Sequence, residues 1–273
     1  MEVLESVAGQ MDELLTNRLS LICNFAHFSV VILGIKQTWG ETQSRSQPFA
    51  TWFMSMICCF GGGCLVHVFV GKPLLTPFTN TEMVILATIV WWLVFYAPAD
   101  LFHSFLQPTP VKIVFLFLKE MLRTRKIMKG VALAREVYPS SLLLCTALGM
   151  LGACGGGFIK NTALLLRATW NQESIKTFSF SVISKCCLLF AALYNLQLDG
   201  QCPFSAKVIA LLQTTTMFSV VVGALFGFQL DFFSPLEGTL SSTFVNYSAF
   251  SSSEQSKGDE SESKSKKKKG KSD

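Results

Sequence analysis

The chain has 273 residues, of which half are hydrophobic and only 15% are charged, whereas soluble domains average about 25% charged residues. With a mean hydropathy of +0.43, this composition excludes an ordinary soluble protein and predicts an integral membrane protein. The net charge of +5 does not indicate nucleic-acid binding, because seven of the 23 cations lie in the last 17 residues and most of the others flank or enter apolar segments.

Six apolar segments have lengths near the 20 or so residues that cross a hydrocarbon core of about 30 Å. The acidic N-terminal segment does not resemble a cleavable signal peptide, so we expect the first span to act as its own insertion signal. The six predicted spans are residues 18–35, 48–70, 82–102, 138–160, 177–196 and 206–228.

Between the third and fourth apolar spans lies a cationic segment, residues 111–131, in which Glu120 is the only acid. On a helix, four of its cations fall within about 60° of one another and form one stripe. The segment is either an amphipathic helix on an anionic membrane surface or a spanning helix whose cations face a wet or protein-lined interior. The stripe consists of Lys112, Lys119, Arg123 and Lys126, and Arg125 and Lys129 share a second face.

The distribution of loop charges favours a cationic segment that crosses the membrane. Seven spans with a cytosolic C-terminus place twelve cations on the cytosolic side and four on the luminal side, in agreement with the positive-inside rule. If the segment did not cross, the bias would be weaker. The N-terminus, residues 1–17, is then expected in the lumen, and residues 229–273 form a cytosolic tail that is rich in Lys and Ser and disordered by composition.

Two glycine triplets indicate an internal repeat. They lie in the second span and in the span after the cationic segment, 94 residues apart, at Gly61, Gly62 and Gly63 and at Gly155, Gly156 and Gly157. Two consecutive three-span units must insert with opposite orientations. The predicted fold is therefore an all-α integral membrane protein with seven transmembrane helices, arranged as two inverted three-helix repeats (18–106 and 107–200) plus a seventh helix (201–228). Taken alone, each triplet is also typical of tight packing or a kink.

Four motifs in the same order resemble the trimeric intracellular cation channel (TRIC) family. The most specific is residues 119–127, KEMLRTRKI, which resembles the family's Lys-Glu-Val signature and its following cations, with Met121 in place of valine. The other three are Phe60-Gly61-Gly62-Gly63, Pro98-Ala99-Asp100-Leu101 and Ser184-Lys185. The resemblance covers the chain from the first span to the seventh, and the lysine-rich end.

The resemblance implies a homotrimer in which each subunit encloses its own potassium-permeable pore. It also implies a phosphoinositide, phosphatidylinositol 4,5-bisphosphate, beside the cationic fourth helix and a fifth helix broken by its glycines. The candidate pore and lipid-binding residues are Lys119, Arg123, Lys126, Lys129, Lys160 and Lys185, and the six triplet glycines are candidate helix-break positions. Lys160 and Lys185 have the alternative of snorkelling to the interface.

The resemblance also implies a location in the membrane of the endoplasmic or sarcoplasmic reticulum. Lys269 and Lys271 stand where a cytosolic dilysine retrieval signal has its lysines, which agrees with this location. No calcium-loop spacing is present, and the nine cysteines lack metal-ligand spacing. No metal site is therefore predicted. The working hypothesis is a potassium channel that supplies counter-ions and so balances calcium movement across this membrane.

Other classes of membrane protein remain as alternatives. A secondary transporter of the sugar-exporter kind would have a plain apolar fourth span, and a non-conducting lipid-binding scaffold would share the charge and the symmetry. A seven-helix receptor lacks its Asp-Arg-Tyr and Asn-Pro patterns here. His27, His67 and His103 are scattered and no acid pair or nucleophile elbow is present, so an enzyme is not expected.

Overall fold

Helices make up nearly all of the regular structure in the computed structural model. It describes residues 19–39, 46–167, 181–228, 231–235, 238–239 and 242. Strands are absent from these residues, which confirms the all-α class. The helices are α1 (Ser20–Trp39), α2 (Pro48–Phe69), α3 (Thr81–Tyr96), α4 (Leu101–Leu106), α5 (Thr109–Val137), α6 (Leu142–Arg167), α7 (Val182–Leu198) and α8 (Ala206–Leu225).

Four of these helices, α1, α2, α6 and α8, are long and apolar enough to cross a membrane. The bent pair of α3 and α4 makes a fifth candidate. Helix α7 has 17 residues and is apolar but short, and α5, which contains the cationic segment, carries more charges than an ordinary apolar span. The apolar character and the helices confirm a multi-pass membrane protein.

The third predicted span was expected to be continuous over residues 82–102, and this is wrong. Helix α3 ends at Tyr96, and the chain turns by 95° before α4. Pro98 lacks a backbone N–H and disfavours a helical residue before it. Ala99 and Asp100 then take left-handed φ values of +52° and +50°, a region that non-glycine residues rarely adopt.

The end of α1 also differs from the prediction, in which the first span ended at residue 35. The helix continues to Trp39, and Lys36 is only 4% exposed. Its Nζ donates to Asp100 Oδ1 at 2.9 Å and to the Val94 carbonyl oxygen at 3.1 Å. Because a buried lysine needs a partner of opposite charge, this contact fixes the bend after α3 against α1.

We call the contact between Lys36 and Asp100 a clamp, and a second clamp joins the ends of α5 and α7. The Arg135 guanidinium donates to the backbone and side-chain oxygens of Asn195 at 3.1 and 2.6 Å, and it pairs with Asp199. The hydrogen bond from Arg135 lowers the pKa of Asp199 below its ordinary value. Both clamps join residues that are 64 positions apart.

Packing between helices centres on α6, which lies against α2, α5 and α7. Helix α1 packs against α3 and α5, and α8 packs against α5 and α7. An apolar core between α1, α2 and α3 includes Phe28, Ile32, Val90 and Phe95, each 2% exposed or less. This arrangement encloses one face of α5 between α1 and α6.

The residues from Asp231 onwards form a separate unit. Within it, the backbone N–H of Phe233 donates to Asp231 Oδ1 at 2.9 Å, and the Thr239 hydroxyl lies 3.3 Å from the Pro235 carbonyl oxygen. The lysines of the predicted retrieval signal, Lys269 and Lys271, lie outside the described residues, so that prediction stands untested.

Candidate functional site

A cavity of about 330 Å³ lies among α1, α2, α5, α6 and the start of α7. Its wall combines small residues, thiols and cations, and no acidic residue occurs among the described residues that line it. A cavity of this size and polarity inside a bundle of apolar helices is a candidate binding site or part of a permeation path. Among the lining residues are His27, Gly34, Cys58, Cys59, Gly62, Lys119, Arg123, Lys126, Gly152, Cys154, Gly156, Gly157, Lys160 and Ser184.

Four predicted site residues, Lys119, Arg123, Lys126 and Lys160, line this cavity together. The first three lie on one face of α5, as the helical spacing of the stripe predicts, and Lys160 comes from α6. The side chains of Lys119 and Arg123 are only 17% and 12% exposed. Concentrated positive charge in so enclosed a place favours an anionic ligand.

Glu120 places a completely buried carboxylate next to this stripe. Its Oε2 accepts a hydrogen bond from Arg123 at 2.7 Å, and its Oε1 lies 3.7 Å from Lys119 Nζ. The Thr124 hydroxyl lies 3.2 Å from the Glu120 backbone oxygen and 3.0 Å from the Thr214 hydroxyl of α8. The carboxylate therefore orients two cavity cations. Helix α8 contacts α5 at the same level through Thr214.

His27 of α1 contacts the third cation of the stripe. Its Nε2 lies 2.8 Å from Lys126 Nζ and 3.4 Å from the Cys59 carbonyl oxygen. A protonated lysine donates, so the imidazole accepts at Nε2 in its neutral form. The sequence does not predict this contact, because the partner of His27 is 99 positions away and no local spacing connects the two.

The glycine triplets bring α2 and α6 into backbone contact at the cavity. A methyl group at Gly62 would overlap the Gly152 carbonyl oxygen, and one at Gly156 would overlap the Cys58 carbonyl oxygen. A methyl group at Gly155 would lie 2.7 Å from the Gly62 Cα. These glycines are needed because no side chain fits between the two helices.

The contacts across this crossing are reciprocal. Gly152 lies 94 positions after Cys58, and Gly156 lies 94 positions after Gly62, so each contact has a counterpart with the roles of the helices exchanged. Reciprocal contacts of this kind are the pattern expected of two helices related by a local two-fold axis. The helix breaks predicted at the triplets are wrong, since both helices continue through them, and the missing side chains instead permit close approach.

The other two predicted lysines do not reach the cavity wall among the described residues. Lys129 is exposed near the end of α5, and Lys185 is partly buried on α7. Their assignment to the pore or the lipid site stays a prediction. No cluster of three His, Cys, Asp or Glu residues that could hold a metal occurs in the described ranges.

Comparison with known proteins bears directly on these features. The family model described as "TRIC channel" matches residues 37–229, which include the glycine triplets and all the cavity cations. The chain belongs to the TRIC channel family. Membership of this family, whose named relatives are channels, places the protein among ion channels rather than enzymes.

Relatives in this family are identical to the chain at about a third of the aligned positions. The trimeric intracellular cation channel type B-A of Xenopus laevis is 33% identical over 201 residues, which are 73% of this chain and 70% of the relative. The human type A channel is 32% identical over 202 residues, which are 74% of this chain and 68% of the relative.

Solved structures of the family also resemble the fold. A trimeric intracellular cation channel from C. elegans in the absence of Ca²⁺ has a TM-score of 0.74 and 26% identity, covering 82% of this chain and 96% of that one. The structure of the C. elegans channel with bound Ca²⁺ gives 0.72 and 27%, with coverage of 82% and 97%. A third, described as a structural basis for the activity of TRIC counter-ion channels in calcium release, gives 0.71 and 27%, with coverage of 81% and 99%.

Proposed function

We propose that this TRIC-family protein is a potassium-permeable channel of the endoplasmic or sarcoplasmic reticulum, which supplies counter-ions during calcium release and uptake. The observation that carries the proposal is the cavity inside the helix bundle, lined by Lys119, Arg123, Lys126 and Lys160. Charged residues within a membrane protein normally face a water-filled or ligand-filled interior. The cavity lies within a single chain, which supports one pore per subunit.

The cavity's charge supports a bound phosphoinositide, phosphatidylinositol 4,5-bisphosphate. Four cations line it, and the neighbouring carboxylate of Glu120 already pairs with Arg123 and Lys119. A head group with several phosphates would balance the remaining charge, and such clusters beside membrane helices suit it. The bound anion would also remove the repulsion that a cationic wall exerts on potassium ions.

Two features support seven spans in two inverted repeats. The contacts between α2 and α6 are reciprocal at an offset of 94 residues, and each half has a clamp between its first helix and the end of its third, at a spacing of 64 residues. In this arrangement α5 corresponds to α1 and crosses the membrane despite its charge. The clamps then lie on opposite membrane faces.

The assembly and the orientation complete the proposal. The relatives are named trimeric and intracellular, which supports a homotrimer in a reticulum membrane. The loop charges support a luminal N-terminus and a cytosolic tail. A secondary transporter and a non-conducting lipid-binding scaffold are the competing functions.

We expect purified protein in planar bilayers with potassium on both sides to conduct, and Lys119→Ala or Arg123→Ala to change its unit conductance or open probability. The reason is that both side chains line the cavity, so their removal alters the field along the path. Lys112→Ala is the matched control, because Lys112 is exposed on the same helix and should leave the current unchanged. Absence of current at every voltage and lipid composition would overturn the channel, and saturable solute exchange would favour the transporter.

We also expect binding of phosphatidylinositol 4,5-bisphosphate to weaken about fivefold for each cavity cation removed, since a basic residue near an anionic lipid contributes about 1 kcal/mol. Binding of the protein to vesicles with and without this lipid would be compared for Lys126→Ala, Lys160→Ala and Lys112→Ala. An equal loss in all three variants would indicate general surface attraction and would contradict a specific site.

A further inference from the structure

Two cysteines face each other beside the cavity and have no part in the proposed conduction or lipid binding. Cys154 on α6 lines the cavity, and Cys187 on α7 lies completely buried next to it. Their thiols lie within hydrogen-bonding reach of each other, and the Cys154 thiol also reaches Ser184. Both cysteines are free.

Helices α6 and α7 pack against each other along this region. A methyl group at Gly149 would lie 3.1 Å from the Ala191 Cβ. Ser184 of α7 lines the cavity together with Cys154, and Cys187 lies three residues after Ser184 on the same face of α7. A disulfide needs Cα atoms separated by about 4.4–6.8 Å, and small residues at a helix crossing permit such an approach.

The chemical surroundings favour reaction at Cys154. Arg123 lines the same cavity as Cys154, with the Glu120 carboxylate as its hydrogen-bond partner. A nearby cation stabilises the negative charge of the thiolate, the form that attacks an oxidant. Because Cys154 borders the cavity whereas Cys187 is buried, a small oxidant reaches Cys154 first.

We propose that Cys154 and Cys187 form a redox-active dithiol, which a peroxide entering the cavity converts into a disulfide that joins α6 to α7. The Cys154 thiolate attacks one peroxide oxygen, the O–O bond breaks, and protonation of the leaving hydroxide gives a sulfenic acid and water. The Cys187 sulfur then attacks the Cys154 sulfur, an S–S bond forms, and a second water leaves with the Cys187 proton. Two thiols are oxidised and one hydrogen peroxide is reduced to two waters.

Formation of this disulfide does not depend on conduction, so a chemical assay can detect it. Purified full-length protein in lipid would be treated with hydrogen peroxide, alkylated with N-ethylmaleimide, digested and examined by mass spectrometry with and without a reductant. We expect a reductant-sensitive pair of peptides that contains Cys154 and Cys187. The pair should be lost in Cys154→Ser and Cys187→Ser and retained in Cys58→Ser, which removes another thiol from the same cavity wall.

The wild-type peptide map decides the question by itself, so it does not rely on the folding of the serine variants. The proposal would be overturned if Cys154 became a sulfenic or sulfinic acid while Cys187 was alkylated. Pairing of Cys154 with Cys58 would overturn it as well, and so would alkylation of both thiols after peroxide treatment. A protein that forms the disulfide but passes no current would leave this site in place and reject the channel alone.

Discussion

Alanine at Gly156 is expected to destabilise the protein by about 3 kcal/mol, near the upper end of the usual cost of overpacking. The added methyl group would overlap the Cys58 carbonyl oxygen of α2. Because this obstacle is backbone rather than a flexible side chain, α2 and α6 would have to separate along their crossing. The midpoint of thermal unfolding in detergent or lipid should fall by several degrees, at roughly 2–4 °C per kcal/mol for a chain of this size.

The next glycine in the same triplet provides the control. A methyl group at Gly157 would meet no atom within 4 Å, and alanine favours a helix over glycine by up to about 1 kcal/mol. Gly157→Ala should therefore unfold at the same temperature as the wild type or slightly above it. Equal destabilisation by the two substitutions would show that the triplet acts through helix flexibility rather than through close packing.

Replacing Glu120 by Gln should cost about 3–5 kcal/mol, the usual effect of removing one partner of a buried ion pair. Glu120 is completely buried, and its carboxylate faces the guanidinium of Arg123 at 2.7 Å and the ammonium of Lys119 at 3.7 Å. Without the carboxylate, these two cations repel each other with no internal counter-charge. The unfolding midpoint and the yield of folded protein should both decrease.

Glu136 supplies the matched comparison, since it pairs with Lys72 while 58% exposed. Glu136→Gln should change the free energy of unfolding by less than about 1 kcal/mol, as is usual for exposed pairs. The double variant Glu120→Gln with Arg123→Gln should recover part of the loss, and the cycle gives the coupling energy. If Glu120→Gln proved as mild as Glu136→Gln, the buried carboxylate would carry no net stabilising role.

Patterns along the chain predict the helical class and the cationic face of α5, because both depend on local periodicity. The stripe of Lys119, Arg123 and Lys126 follows from a rotation of about 100° per residue, and these residues do share one cavity. Tight packing is the alternative to a helix break at each glycine triplet, and the triplets do lie where α2 and α6 come into contact. In each case the relevant residues lie within a few turns of one helix.

Features that depend on partners far away in the sequence could not be predicted from such local patterns. Lys36 resembles the first residue of a loop, and its contacts with Asp100, 64 positions later, and with the Val94 carbonyl oxygen explain why it is buried inside the fold. The contact of His27 with Lys126 and the pairing of Cys154 with Cys187 likewise cross between helices. The glycine triplets show a different limit, since glycine weakens a helix by itself while the packing around it decides whether the helix breaks.

The 95° turn after α3 limits the thickness of hydrocarbon that this helix can span. Because the helix ends there, α3 has only 16 residues and a length of about 24 Å. Helix α7 has 17 residues and is about 26 Å long. Both fall short of an average hydrocarbon core of about 30 Å and lie nearer the roughly 27 Å of the reticulum membrane. In bilayers of longer-chain lipids, these two helices would require the lipid around them to thin.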